Sequence, residues 1–122
     1  MDIDLNLGLA RHLGMRFLET TPERVVAEIE IREEVCTLGG SIHGGTLMAL
    51  ADTVGAVGTL MSGAKTATAE SKTNFFAAAK AGRVRAEATP LHKGRRTHVW
   101  QTRVTDESGK LLSLTIQTQM IL

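Results

Sequence analysis

The sequence is short of aromatic residues, short of cysteine and almost without net charge, and each shortage removes a class of function. Phe and Trp make up 3% of its 122 residues and tyrosine is absent. A surface that stacks nucleic-acid bases needs such rings in numbers, so no nucleic-acid partner is expected. The formal net charge of +1 offers no global attraction for polyanions or acidic partners. Cys36 is the single cysteine, which excludes an intramolecular disulfide and a cysteine zinc cluster and fits a reducing cytoplasm. The N-terminus carries Asp2 and Asp4 and no basic stretch, so it does not read as a secretory signal. No P-loop, dinucleotide fingerprint or cluster of metal-ligating residues is found, and so neither cofactor nor metal is expected. The length fits one domain, residues 1–122.

What is there is one long, nearly uncharged stretch, residues 39–64. Between Glu34 and Lys65 its only formal charge is Asp52, and its only other titratable side chains are Cys36 and His43. From Gly44 to Met61 the spacing predicts a helix that is apolar all round, which belongs inside a protein or a membrane. Seven glycines between Gly39 and Gly63, and a carboxylate at the midpoint, argue against a membrane span. An ionised carboxylate is costly to bury alone, so Asp52 must be neutral, partnered or near water.

The flanking sequence is strand-like. Leu5, Leu9 and Leu13 predict a short amphipathic helix over 4–13, stopped by Gly14. A first short strand is expected at 15–19. Residues 24–32 alternate, with Val25, Ala27, Ile29 and Ile31 facing one way and Glu28 and Glu30 the other. After the helix the period changes to two. Strands are expected at 66–77, at 83–91 with Val84, Ala86 and Ala88 inward, and at 97–105 with His98, Trp100, Thr102 and Val104 on one face. A Gly-containing hairpin turn at 106–109 leads to a last strand at 111–122, whose face Leu112, Leu114, Ile116, Thr118 and Met120 is the apolar one. Short connections make the last three strands an antiparallel meander. The economical arrangement is α+β: a curved antiparallel sheet of five or six strands wrapped around one central helix at about 43–62, with a short N-terminal helix.

The segment Gly40-Ser41-Ile42-His43-Gly44-Gly45, followed by Leu50-Ala51-Asp52, resembles the hotdog-fold acyl-CoA thioesterases of the PaaI-like, 4-hydroxybenzoyl-CoA group. Thr68-x-Glu70-x-x-x-Asn74-Phe75, the Lys93-Gly94-Arg95 turn and the Asp106-x-x-Gly109 hairpin follow in the family's order. The resemblance implies a hotdog fold, a homodimer that is often a dimer of dimers, and hydrolysis of an acyl-CoA thioester, with CoA as part of the substrate. It matches Asp52 to the catalytic acid, Gly44 to the glycine whose N–H polarises the carbonyl, and His43 to the adjacent histidine. Thr37 stands where the family commonly has a water-placing Asn or Gln, and Ala56 where some members have Ser or Thr. Thr68 is the hydroxyl that could substitute. The Pro often found after Asn74-Phe75 is replaced by Ala77-Ala78-Ala79.

Physical chemistry supports the same roles. Backbone N–H groups at a helix N-terminus lack intrahelical acceptors and carry the positive end of the dipole. Gly44 and Gly45 let a ligand approach that backbone closely, as an oxyanion hole requires. Asp52 is then a nucleophile or a general base. Gly44 and Asp52 lie eight residues apart, about 12 Å along a helix, so one carbonyl carbon cannot meet both within one chain. Two chains must share each site, which a two-fold dimer allows.

Plainer readings compete: a helix-entry role for His43, an ordinary turn at Gly44 and Gly45, and a structural ion pair for Asp52. Lys93, Arg95 and Arg96 are either a solvated turn or a clamp for CoA phosphates. Met48 and Phe75, with Phe76, read first as core and second as acyl pocket. A Ser41-His43-Asp52 triad is disfavoured by its spacing. The alternatives to a thioesterase are a non-catalytic acyl-CoA binding module on the same fold and a hotdog dehydratase or hydratase.

Overall fold

A computed structural model describes residues 3–122. A short helix, α1 (Gly8–Leu13), leads into the strands β1 (Arg16–Thr20) and β2 (Val25–Glu30). A single 3-10 turn (Glu33–Val35) precedes the long helix α2 (Gly44–Met61). Four strands follow: β3 (Thr66–Phe75), β4 (Arg83–Lys93), β5 (Thr97–Thr105) and β6 (Leu111–Ile121). They join one six-stranded antiparallel sheet in the order β1-β2-β4-β5-β6-β3. The strands β4 to β6 are the expected meander, and α2 packs across the sheet with contacts to all six strands. The predicted architecture and the limits of the central helix agree with this.

The core lies between α2 and the sheet. Leu47, Leu50, Val54 and Val57 of α2 meet Val25, Ala27 and Ile29 of β2, Val84, Ala86 and Ala88 of β4, and Trp100 and Val104 of β5. Two helix glycines set the closeness of this packing. A Cβ on Gly58 would stand 2.2 Å from Cη2 of Trp100, and one on Gly55 would stand 2.5 Å from the Gln117 amide. Trp100 is fully buried, and its Nε1–H donates to Thr59 Oγ1 at 2.9 Å. Thr59 also bonds His98 Nδ1 at 3.0 Å, and burial holds the His98 imidazole below its usual pKa.

Several expectations are corrected. α1 begins at Gly8 rather than at residue 4, because the Asp4 carboxylate accepts from the Asn6 N–H and holds a local turn there. Its Leu9 is exposed while Leu13 is buried. The outer side of β2 is not simply solvated: Glu28 is 7% exposed, with Arg16, Arg83 and Arg85 around it. The hydrogen bond from Arg16 leads in holding its carboxyl below the usual range. β6 presents its polar residues to the interior: Ser113, Thr115, Gln117 and Gln119 are buried, whereas Leu114, Ile116 and Thr118 are half-buried and Met120 is exposed. Met48, Phe75 and Phe76, read first as core, are 38%, 50% and 58% exposed. Finally, α2 is not buried all round: Leu50, Ala51 and Val54 are buried, Ala49, Asp52, Thr53 and Ala56 are half-buried, and Met48 is exposed. α2 is long and apolar enough to cross a bilayer, and half of it is buried within this fold.

Candidate active site

The N-terminus of α2 is built by His43. Its extended backbone ends the preceding loop, tied by His43 N–H to Val35 O at 2.9 Å. Its carbonyl accepts from Thr46 N–H and Leu47 N–H, and its Nδ1 accepts from Gly45 N–H at 2.7 Å. Because Nδ1 accepts, the proton of the neutral ring sits on Nε2. The cap therefore uses three of the first four helix N–H groups and leaves that of Gly44, which has no acceptor among the described residues. The Phe75 ring edges the same spot, since a Cβ on Gly44 would lie 3.2 Å from Phe75 Cε1. The helix-entry reading of His43 is thus correct, and it is compatible with the oxyanion hole: capping leaves one free donor at the positive end of the helix.

Asp52 lies two turns further on and is half-buried. Its Oδ1 accepts from the Thr68 hydroxyl at 2.5 Å and from Gln117 Nε2 at 3.2 Å. Gln117 Nε2 is also 3.3 Å from the Asp52 carbonyl oxygen. Oδ2 has no partner among the described residues. Gln119 Oε1 accepts from Thr68 at 2.7 Å and from Gln117 Nε2 at 2.9 Å, so the Thr68 proton is shared between two acceptors. Gln119 Nε2 donates to Thr66 Oγ1 at 2.9 Å.

Backbone irregularity brings Thr68 here. The register of β3 on β6 shifts between Thr68 and Glu70, so Ala69 is the extra residue of a β-bulge. Strict alternation would put Thr68 and Ser71 on opposite faces. The bulge lets Thr68 bond Asp52 while Ser71 and Thr73 also turn inward, Thr73 bonding Thr115 at 2.7 Å. Beside Asp52 lies a pocket of about 300 Å³ lined by Leu9, Met48, Ala49, Thr53, Thr68 and Ser71. Two larger clefts, of about 460 and 480 Å³, lie elsewhere. The first is walled by the Glu28–Arg83–Arg85 ion pairs, which are already satisfied. The second holds Thr37, Cys36, Arg32 and Lys80.

The remaining predicted residues are dispersed. Thr37 is exposed on the loop before α2, with its hydroxyl 3.4 Å from that of Ser41, and it lines the second cleft rather than the Asp52 pocket. Gly45 is exposed beside His43, its N–H taken. Met48 lines the Asp52 pocket and Phe75 lies at Gly44. Lys93 pairs with Glu23 at 3.0 Å, while Arg95 and Arg96 are exposed and meet no carboxylate among the described residues. Among those residues no group of three His, Cys, Asp or Glu side chains could hold a metal ion. Sequence reasoning missed Leu9, Ser71, Gln117 and Gln119. The signal for the two glutamines was present: Ser113, Thr115, Gln117 and Gln119 recur at period two, as a polar interior face must.

Comparison with known proteins gives a consistent picture. The model of the Thioesterase superfamily matches residues 39–113. A 1,4-dihydroxy-2-naphthoyl-CoA hydrolase of Listeria monocytogenes is 31% identical over 111 residues, covering 88% of this chain and 90% of that protein. A mutant of the phenylacetic acid degradation protein PaaI from Thermus thermophilus superposes with a TM-score of 0.88 at 32% identity, covering 93% of this chain and 98% of that one. AziG of S. sahachiroi gives a TM-score of 0.91 at 26% identity, covering 95% and 97%.

Proposed function

The chain belongs to the thioesterase superfamily, and from that premise we propose that it hydrolyses acyl-CoA thioesters to the free acid and CoA. The observation that carries this reading is Asp52: one carboxylate on an otherwise apolar helix, opening on a pocket with one oxygen held and the other free. The thioester carbonyl oxygen takes the free Gly44 N–H, where the helix dipole stabilises the developing negative charge. Asp52 Oδ2 then acts in one of two ways. As a nucleophile it bonds the carbonyl carbon, the C–S bond breaks, and water later cleaves the acyl–Asp52 anhydride. As a base it takes a proton from a water whose oxygen attacks that carbon, and the CoA thiolate leaves and is protonated. His43 holds the donor end of the helix in place. Thr68 supplies the hydroxyl that fixes Oδ1.

The acid and the free N–H are about 12 Å apart along α2. We therefore read the working unit as a homodimer, with Gly44 of one chain and Asp52 of the other in each of two sites, and a dimer of dimers as the larger assembly. The exposed Met48 and the half-buried Asp52 and Ala56 of α2 support this, because they leave surface for a partner. Arg95 and Arg96, free of carboxylates among the described residues, and Lys93 would receive CoA phosphates, and Met48, Phe75 and Leu9 would bound the acyl group. The lone thiol fits a cytoplasmic setting.

The test is thiol release from a panel of aromatic and medium-chain acyl-CoAs. Asp52→Asn should lower kcat by on the order of 10²–10⁴ while ligand binding persists. Unchanged turnover would sink the assignment. Label in Asp52 after a single turnover in ¹⁸O-water identifies an anhydride opened by water at the Asp52 carboxyl carbon, whereas the base route puts label in the acid only.

A further inference from the structure

We infer that Gln117 is a positioning residue for Asp52, and that the β6 glutamines form a directed hydrogen-bond chain that dictates which carboxylate oxygen does the chemistry. This rests on the reading of Asp52 as the reacting carboxylate. The direction of the chain follows from its far end. The Met120 carbonyl can only accept, so Thr66 Oγ1 must donate to it, at 2.8 Å. Thr66 Oγ1 has then spent its proton and must accept from Gln119, which turns the Gln119 NH₂ toward Thr66 and its Oε1 toward Gln117 and Thr68. Gln117 in turn must offer its NH₂ to Gln119 Oε1 at 2.9 Å, and the second hydrogen of that NH₂ reaches Asp52 Oδ1 at 3.2 Å. Reversing the Gln117 amide would set its oxygen against three acceptors: Gln119 Oε1, Asp52 Oδ1 and the Asp52 carbonyl. The Met120 backbone carbonyl of β6 thus holds Asp52 Oδ1 as an acceptor and leaves Oδ2 as the oxygen able to attack or take a proton.

Two further observations single out Gln117. Its own Oε1 is buried and has no partner among the described residues, so this amide orientation is maintained against the demand of its own oxygen. The helix also makes room for it: a Cβ on Gly55 would stand 2.5 Å from Gln117 Cδ and Oε1 and 2.8 Å from Nε2. Gly55 in the middle of a helix is otherwise unfavourable. The glycine is explained by the amide that fills its missing Cβ, and the amide by the carboxylate at its tip.

The experiment compares four variants: Gln117→Met, which keeps the length and removes the donors; Gln119→Met; Gly55→Ala; and Asp52→Asn. Rates on hexanoyl-CoA and benzoyl-CoA are followed by thiol release between about pH 4.5 and 9, with folding checked by circular dichroism. For Gln117→Met, kcat should fall about tenfold with KM changed by less than about twofold, since the substrate does not touch this residue. The acid limb of its pH–rate profile should move up by about one unit, because a hydrogen bond to the charged form is lost. Gly55→Ala should reproduce both effects by displacing the amide, and it tests the chain independently should Gln117→Met not fold. Gln119→Met should show them more weakly, by releasing the Gln117 NH₂. A purely structural glutamine would lower thermal stability without moving the acid limb, and that result would overturn the inference. Asp52→Asn separates the two levels. If it keeps parental turnover, the catalytic reading falls and takes this one with it. If it abolishes turnover while Gln117→Met and Gly55→Ala leave kcat and the acid limb unchanged, only the positioning role is refuted.

Discussion

Replacing Gly58 by alanine sets helix propensity against packing, and the structure says which wins. On propensity alone the change stabilises an interior helix position by about 0.8–1 kcal/mol. The added Cβ, however, would stand 2.2 Å from Cη2, 2.4 Å from Cζ2 and 2.8 Å from Cζ3 of Trp100. Ordinary contact needs more than about 3.4 Å, so ring and helix must separate by roughly 1 Å. Trp100 is fully buried and has nowhere to go. Overpacking of this kind costs about 1–3 kcal/mol. Moving the indole also strains its hydrogen bond to Thr59, a further loss of about 0.5–1.5 kcal/mol. After the propensity gain is deducted, Gly58→Ala should destabilise by about 1–3 kcal/mol. That is a fall in Tm of roughly 4–12 °C for a domain of this size. Thermal unfolding followed by circular dichroism, at one fixed protein concentration, measures it. The double variant Gly58→Ala/Trp100→Leu should be more stable than the sum of the two single changes predicts, because the smaller side chain makes room for the new methyl. A Gly58→Ala protein as stable as the parent, or strict additivity in the double variant, would refute the close-approach account.

Other outcomes follow from the same geometry. Thr68→Val should lower kcat about tenfold or more, by removing a hydrogen bond to a charged oxygen, with the fold retained; steady-state thiol release checks it. His98 has a lowered pKa in the folded chain, so the unfolded chain binds its proton first as pH falls. Stability should therefore decline as pH drops below about 6.5, and His98→Gln should lose that part of the slope in a series of melts. Glu28, also lowered in the folded state, stabilises fully above its ordinary value and loses that contribution as pH falls below about 4.5. Glu28→Gln should cost about 1–2 kcal/mol at neutral pH, discounted because Arg16, Arg83 and Arg85 are half-exposed, and should flatten the acid limb of urea unfolding.

The sequence by itself determined the central helix, its single acid, its glycine entry and the meander that follows. These are local matters. A helix whose single charge is Asp52 belongs in an interior, and His43-Gly44-Gly45 opens it with a cap that leaves the Gly44 N–H. Alternation in β4 and β5 named the right inner face because the opposite face is charged. In β6 the same alternation pointed the wrong way. A period of two shows that a strand has two faces; hydropathy then chooses between them on the assumption that water wets the polar one. Here the polar face meets Asp52, Thr66 and Thr68, whose hydrogen-bonding groups replace water, so glutamines turn in and Leu114 and Ile116 turn out. Tertiary structure also decided the bulge at Ala69, which shifts alternation by one and brings Thr68 to the acid. It decided, too, the purpose of Gly55 and Gly58, whose neighbours lie more than forty residues away in the chain. Local pattern names the elements and the residues able to react. Which oxygen of Asp52 is free depends on partners sixteen and sixty-five residues distant, and only the closed sheet brings them together.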